Sequence, residues 1–256
     1  MPDSPELIVI VAVMEEEVAP LRLRLEGVEE IKDGPRRYYL GTLGGVRVAV
    51  AATGDGKRNA DLGICRVIQK LQPTRVLVLG LAGALSDGLA VGDLLISSEV
   101  MEGERTLAWP DLQWLEDAQI SVQYQLGRLV TVDEILSTPE SKKILWSKTW
   151  RDQPAAADME SACFARVATA YNLPYLVARA ISDDVNETLP DFLEDCRAQD
   201  GSLDHRQIMW KAFWRPRSWL PLVRLRRRMR VCSLTLADFA EALVGSLAHQ
   251  TSTTDC

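Results

Sequence analysis

Three short runs of the chain are apolar on both faces: Leu7 to Val13 (LIVIVAV), Arg75 to Leu81 (RVLVLGL) and Leu173 to Ala180 (LPYLVARA). A strand with one wet face alternates apolar and polar residues. A strand without a polar face must be covered from both sides, as in a sheet sandwiched between helices. The intervening sequence supplies candidate covers. The spacing predicts helices from about Asn59 to Leu71, with apolar residues at Leu62, Cys65, Val67 and Ile68, and from Thr138 to Trp150. It predicts two more: Asp158 to Tyr171, with Asp158 as the capping candidate, and Leu234 to Leu247, with Leu236, Phe239, Ala240, Leu243, Val244 and Leu247 in a stripe.

The residues Arg37 to Leu43 and Val46 to Ala52 flank Gly44-Gly45 and are expected to pair as a hairpin. Further strands are expected at LLIS after Val91-Gly92-Asp93 and at Arg128 to Thr131, with loops and a short strand between about Val100 and Gln125. Strands alternating with helices, with no composition break, predict one α/β domain over residues 1–256 built on a mixed sheet.

Composition removes several chemistries. Five scattered cysteines without a C-x-x-C pair point to reduced thiols. Only His205 and His249 are present, neither at ligand spacing from a cysteine or from the other, so no metal site is expected. A Ser-His-Asp triad is equally unattractive, which leaves the chemistry to carboxylates. The longest uninterrupted apolar stretch, Leu7 to Met14, is well short of the ~18 to 20 residues of a membrane span. The acidic start MPDSPE lacks the marks of a secretory signal, so the expected location is the cytoplasm. The net charge of -7 is uneven: residues 206–230 hold nine basic residues and no acidic one, leaving -16 on the rest. Trp210, Trp214 and Trp219 fall in the same segment. They fit either a helix packed on the core or peripheral contact with an anionic membrane, while the acidic remainder argues against nucleic acid.

Polar residues cluster where predicted strands end: Glu15 to Glu17, Gly54-Asp55-Gly56 and Ser182-Asp183-Asp184. In open α/β sheets ligands bind at that edge, because loops converge there. Each cluster also has a plain reading, since acidic residues complement a helix N-terminus and aspartate favours turns. The stretch from Gly54 to Asn59 only partly matches a dinucleotide fingerprint, with Asn59 at the third glycine, and reads better as a tight turn.

Five motifs then occur in a recognisable order: AVMEEEV from Ala12, TGDGKRNA from Thr53, GLAGAL from Gly80 followed by Val91-Gly-Asp93, DMES from Asp158, and RAISD from Arg179. Together they resemble the nucleoside phosphorylase and nucleosidase superfamily over about Leu7 to Glu187. The opening is most similar to methylthioadenosine/S-adenosylhomocysteine nucleosidases, while DMES and the long tail look more like the hopanoid-associated phosphorylase branch.

The resemblance implies a central mixed, partly barrel-like sheet flanked by helices, and cleavage of the N-glycosidic bond of a purine, foremost adenine, nucleoside. It implies Asp183 as the acid that protonates purine N7, and such an acid must hold a proton near neutral pH, which burial favours. It implies Glu17 as the base that activates water, Glu160 on the ribose hydroxyls and Met159 against sugar and base. Arg179 and Ser182 would orient the nucleophile and Asp183, and Ile135 and Leu136 would contact the base. No cofactor is implied. A homodimer is implied by the same resemblance. An oxocarbenium-like transition state needs this division between an acid, a base and a carboxylate near the developing cation. Hydrolysis is the leading expectation, because Leu81 stands where the family commonly has a serine that bonds water or phosphate. Phosphorolysis with inorganic phosphate as co-substrate, including of a hopanoid-linked adenine nucleoside, is the alternative, and a nucleoside-binding protein without turnover is a third.

Overall fold

The computed structural model describes residues 6–118, 120–148, 152–189 and 219–251. Ten strands form one mixed sheet. In chain order they are β1 (Ile8–Ala12), β2 (Glu26–Asp33), β3 (Arg36–Leu43), β4 (Val46–Ala52), β5 (Arg75–Ala84), β6 (Leu94–Glu102), β7 (Arg105–Ala108), β8 (Gln125–Thr131), β9 (Ala155–Asp158) and β10 (Tyr175–Asp183). The helices are α1 (Glu15–Arg22), α2 (Lys57–Leu71), α3 (Gln113–Asp117), α4 (Pro139–Lys148), α5 (Ser161–Ala170) and α6 (Trp219–Thr251).

Five of the strands close on themselves. β5 pairs with β10, β10 with β6, β6 with β8, β8 with β9, and β9 returns to β5. From β5 the sheet also continues outward through β1, β4, β3 and β2. The expected mixed, partly barrel-like sheet flanked by helices is therefore the fold found.

The two-faced burial predicted for β1 is met by period-two alternation. Val9 and Val11 join a core that includes Ile64 and Val67 of α2 and Phe164 of α5. Ile8, Ile10 and Ala12 point the other way, into a core with Val18 and Leu21 of α1 and Leu236, Phe239 and Leu243 of α6. The apolar stripe expected from Leu236 to Leu247 is buried throughout. α6 is longer than predicted, beginning at Trp219. Its stretch Arg226–Ala248 is long and apolar enough to cross a membrane by length and composition, although no uninterrupted apolar run marks it in the sequence. The stripe that makes it so apolar is packed in the core beside α1 and β10.

Three local readings change. The structure adds β2, whose run Glu26 to Glu30 is wholly exposed, including Val28 at 49%. It is an edge strand protected by charge rather than by an apolar face, so no alternation betrays it. Leu62 of α2 is 46% exposed, because the buried stripe runs through Ala60, Ile64, Val67 and Ile68, a spacing that leaves position 62 outside. Asp158 does not start a helix. It ends β9, and α5 begins three residues later, although the Asp158 carboxylate does accept the Ser161 N–H. Of the basic segment, residues 206–218, with Trp210 and Trp214, lie outside the described residues. Arg226, Arg227 and Arg230 on α6 are exposed.

Candidate active site

The site begins with a split in the sheet. One edge of β5 pairs with β10 along most of its length. The other edge is shared: β1 occupies it up to Val78, and β9 takes over at Gly83. Between them the backbone of β5 is released, and Glu17 fills the vacancy. Its Oε1 accepts the Leu81 N–H at 3.1 Å, while Oε2 accepts the N–H groups of Val13 at 3.1 Å and Met14 at 2.9 Å. Glu17 thus ties the first turn of α1 to the open stretch of β5. Burial pushes its pKa up, against the Arg179 charge and the three N–H groups, which pull it down.

Arg179, 1% exposed in the middle of β10, lies across the same gap. Its Nε donates to Asp158 Oδ2 at 3.0 Å, and its Nη2 reaches Asp158 at 2.8 Å and Ser161 Oγ at 2.7 Å. Nη1 is buried without a hydrogen-bond partner and crowds the place where a Cβ on Gly80 would stand, 3.3 Å from Glu17 Oε1. Only glycine at position 80 leaves room for the guanidinium.

Glu160 completes this cluster. Its Oε1 accepts the Gly56 N–H at 3.2 Å, which places the glycine loop after β4 against the start of α5. Burial, then the neighbouring charge of Asp158, lifts its pKa to about 7, with Glu17 adding to the rise and Arg179 opposing it.

Asp183 lies two residues further along β5, over Gly83, where a Cβ would come within 2.7 Å of Oδ2. A β-bulge at Ser182 precedes it: Ile181 pairs with Ala82 and Asp183 with Gly83, leaving Ser182 as the extra residue. Bulges of this kind re-aim the end of a strand. Ser182 Oγ lies 2.6 Å from Asp183 Oδ1 and 3.2 Å from the Ala82 carbonyl oxygen. On the other oxygen, Oδ2, sits the Lys142 ammonium at 2.5 Å. Asp183 opens into a small cleft lined by Ile135, Leu136, Val132, Leu85 and Met159 together with Asp158 and Lys142.

The eight residues predicted from the sequence therefore form two adjoining groups. Glu17, Glu160 and Arg179 surround the gap in β5. Asp183, Met159, Ile135 and Leu136 line the cleft, with Ser182 on the wall between. Sequence reasoning missed two residues. Asp158 is an ion-pair partner of Arg179 and accepts Thr131 Oγ1 at 2.9 Å, and its place at the end of β9 could be read only after that strand was assigned. Lys142 carried no signal, being one of two adjacent lysines in a polar stretch of α4.

The phosphorylase superfamily model matches residues 7–209. The chain belongs to that superfamily. Among curated relatives, a 5'-methylthioadenosine/S-adenosylhomocysteine nucleosidase of Listeria monocytogenes is 29% identical over 203 residues, covering 70% of this chain and 86% of the relative. That of Desulfotalea psychrophila is 30% identical over 200 residues, covering 70% and 85%. The same architecture is found in the Neisseria meningitidis nucleosidase bound to methylthio-immucillin-A, with a TM-score of 0.72, 21% identity and coverage of 94% and 99%. It is found again in futalosine hydrolase of Helicobacter pylori, with a TM-score of 0.72, 20% identity and coverage of 93% and 97%. As a member of the superfamily the protein is an enzyme, and the five motifs quoted above fall within the matched region.

Proposed function

We propose that this phosphorylase-superfamily enzyme hydrolyses the N-glycosidic bond of adenine nucleosides in the cytoplasm. The observation that carries the reading is the placement of Glu17 and Asp183 over β5 at Leu81 and Gly83. Two residues of strand amount to ~7 Å, enough for a sugar ring between an acid on one side and a base on the other. The apolar cleft beside Asp183 suits a purine, which would lie between Met159 and the pair Ile135 and Leu136. Asp183 then donates its proton to N7 as the C1′–N9 bond breaks with its electron pair going to the base. Glu160 accepts hydrogen bonds from ribose hydroxyls, which requires the ionised form.

Glu17 takes the proton of the attacking water. Arg179 Nη1, without a hydrogen-bond partner and close to Gly80 on the Glu17 side, is the donor that would orient that water. Hydrolysis is favoured over phosphorolysis because the N–H groups of Val13, Met14 and Leu81, which a phosphate would need, already serve Glu17. A second anion there would also face the glutamate. Adenine is favoured as the base because curated relatives are named for adenosine-derived substrates.

The test is incubation with adenosine, methylthioadenosine and S-adenosylhomocysteine, with and without inorganic phosphate. Free adenine without phosphate is expected. A strict phosphate requirement with ribose 1-phosphate as product would establish phosphorolysis instead, and binding without product would establish a nucleoside-binding protein.

A further inference from the structure

We propose that Lys142 is the positioning residue for Asp183, holding its carboxyl in place and stabilising the carboxylate that forms when Asp183 gives its proton to the departing base. The inference rests on the reading of Asp183 as the acid. Its basis is geometric. Lys142 is 1% exposed although it stands in a polar stretch of a surface helix, and its neighbour Ile144 is 59% exposed. Hydropathy would have arranged the two the other way round. The ammonium reaches Asp183 Oδ2 at 2.5 Å and the Asp184 carbonyl oxygen at 2.6 Å, so it grips both residues at the end of β10. α4 is capped by reciprocal bonds at its own start, the Ser141 N–H to Thr138 Oγ1 at 3.2 Å and the Thr138 N–H to Ser141 Oγ at 3.3 Å, and the Leu189 N–H donates to the Ser137 carbonyl oxygen at 2.8 Å, which ties the chain after β10 to the start of the helix.

The chemistry follows from what an acid does. When the Asp183 O–H bond breaks and the N7–H bond forms, a negative charge appears in a site walled by Leu85, Ile135 and Leu136, with the carboxylates of Asp158 and Glu134 lining the same cleft. An isolated carboxylate there is costly. While the proton is on Asp183 the ammonium faces a neutral carboxyl, and as the proton passes to N7 it faces a carboxylate, so the contact is stronger in the transition state than in the ground state. The one proton that moves is that of Asp183, and no other reactant is needed. The cation on the α6 side, Arg228, is engaged with Glu187, and the Cys232 thiol of α6, pushed up to about 11 chiefly by burial, cannot take this role.

The test compares Lys142→Met, Lys142→Gln, Asp183→Asn and the double variant Lys142→Met/Asp183→Asn on adenosine and on 4-nitrophenyl β-D-riboside, whose leaving group departs without protonation. Thermal melting confirms folding, and the Gln variant serves if Met does not fold. Loss of Lys142 is expected to lower kcat on adenosine by about 10²-fold with little change in KM, as for loss of one donor to a developing charge. On the nitrophenyl substrate the loss is expected to shrink to less than about threefold, because the acid is then idle. The double variant should be no slower than Asp183→Asn, since one residue acts through the other. Equal losses on both substrates, additive losses, or an unchanged kcat while Asp183→Asn is inactive would overturn the role of Lys142 alone. Full activity of Asp183→Asn would overturn the reading of the acid, and the proposal with it.

Discussion

The site contains two buried aspartate–cation pairs, Asp158 with Arg179 and Asp183 with Lys142, and they are differently engaged. Asp158 is saturated. It accepts from Thr131 Oγ1, from the Ser161 N–H and Oγ–H and from Arg179, joining β8, β9, α5 and β10 in one network. Asp183 accepts from Ser182 and Lys142 alone among the described hydrogen bonds, and opens into the cleft. A carboxylate with every acceptor site engaged serves as scaffold, whereas one with a free direction can exchange a proton. The same pairing of residues therefore gives a fully engaged strut in one place and, in the other, a carboxyl with a direction left open toward the cleft.

The largest expected effect separates the two directly. Asp183→Asn should lower kcat by about 10² to 10⁴-fold, the range for loss of a general acid, and should cost less stability than Asp158→Asn, because the buried Lys142 ammonium keeps the Asp184 carbonyl oxygen at 2.6 Å as a partner. Asp158→Asn should act first on stability, because it leaves Arg179 buried without its counter-charge, at a cost of about 3–5 kcal/mol. Chemical denaturation and steady-state kinetics on the two variants measure this contrast, and a stable but inactive Asp158→Asn would break it.

The two glycines sharpen the comparison with a smaller effect. Gly80→Ala presses a methyl group into the Arg179 guanidinium, which is anchored at Nε and Nη2 and cannot retreat, so a destabilisation of about 1–3 kcal/mol is expected. Gly83→Ala meets the end of the Asp183 side chain, which can shift only by loosening its contacts with Ser182 and Lys142. It should fold nearly as well as the parent and lose kcat by about 10-fold, as for a misplaced catalytic group. Melting curves and kcat together distinguish these outcomes.

The smallest effect concerns Glu160, which neighbours the Asp158 pair without belonging to it. With its pKa at about 7, the ionised form that ribose binding needs is gained as pH rises through neutrality, so KM should fall by severalfold between about pH 6 and pH 8. The stability effect has the opposite sense. A carboxyl raised from 4.5 in the unfolded chain to about 7 in the fold favours folding at low pH, and that contribution is lost between those values. Glu160→Gln should remove both dependences, as pH-resolved kinetics and melting would register.

Much of this site was legible in the sequence because its signals were local. Glu17 follows a strand with no polar face and Asp183 ends another, so the clusters that hold them stood out at strand ends, while Arg179 was readable only through its motif. Glu160 and Met159 were readable through their motif. Lys142 was not, since Lys142 and Lys143 are identical in composition and context, yet one is buried and the other exposed. β2 escaped for a related reason: an edge strand of Glu and Lys carries no apolar pattern, and only its pairing with β3 identifies it.

The sequence by itself determined that the sheet is covered on both sides, that helices alternate with strands, and that carboxylates stand at strand ends. These follow from hydrophobic burial and backbone periodicity, which act over a few residues. Tertiary structure alone decided where β5 divides between β1 and β9, which of two lysines reaches Asp183, and which buried carboxylate keeps a free direction. Those outcomes depend on hydrogen bonds and ion pairs between segments as much as 41 residues apart in one case and 64 in another, and no local pattern encodes which partner a buried charge will meet.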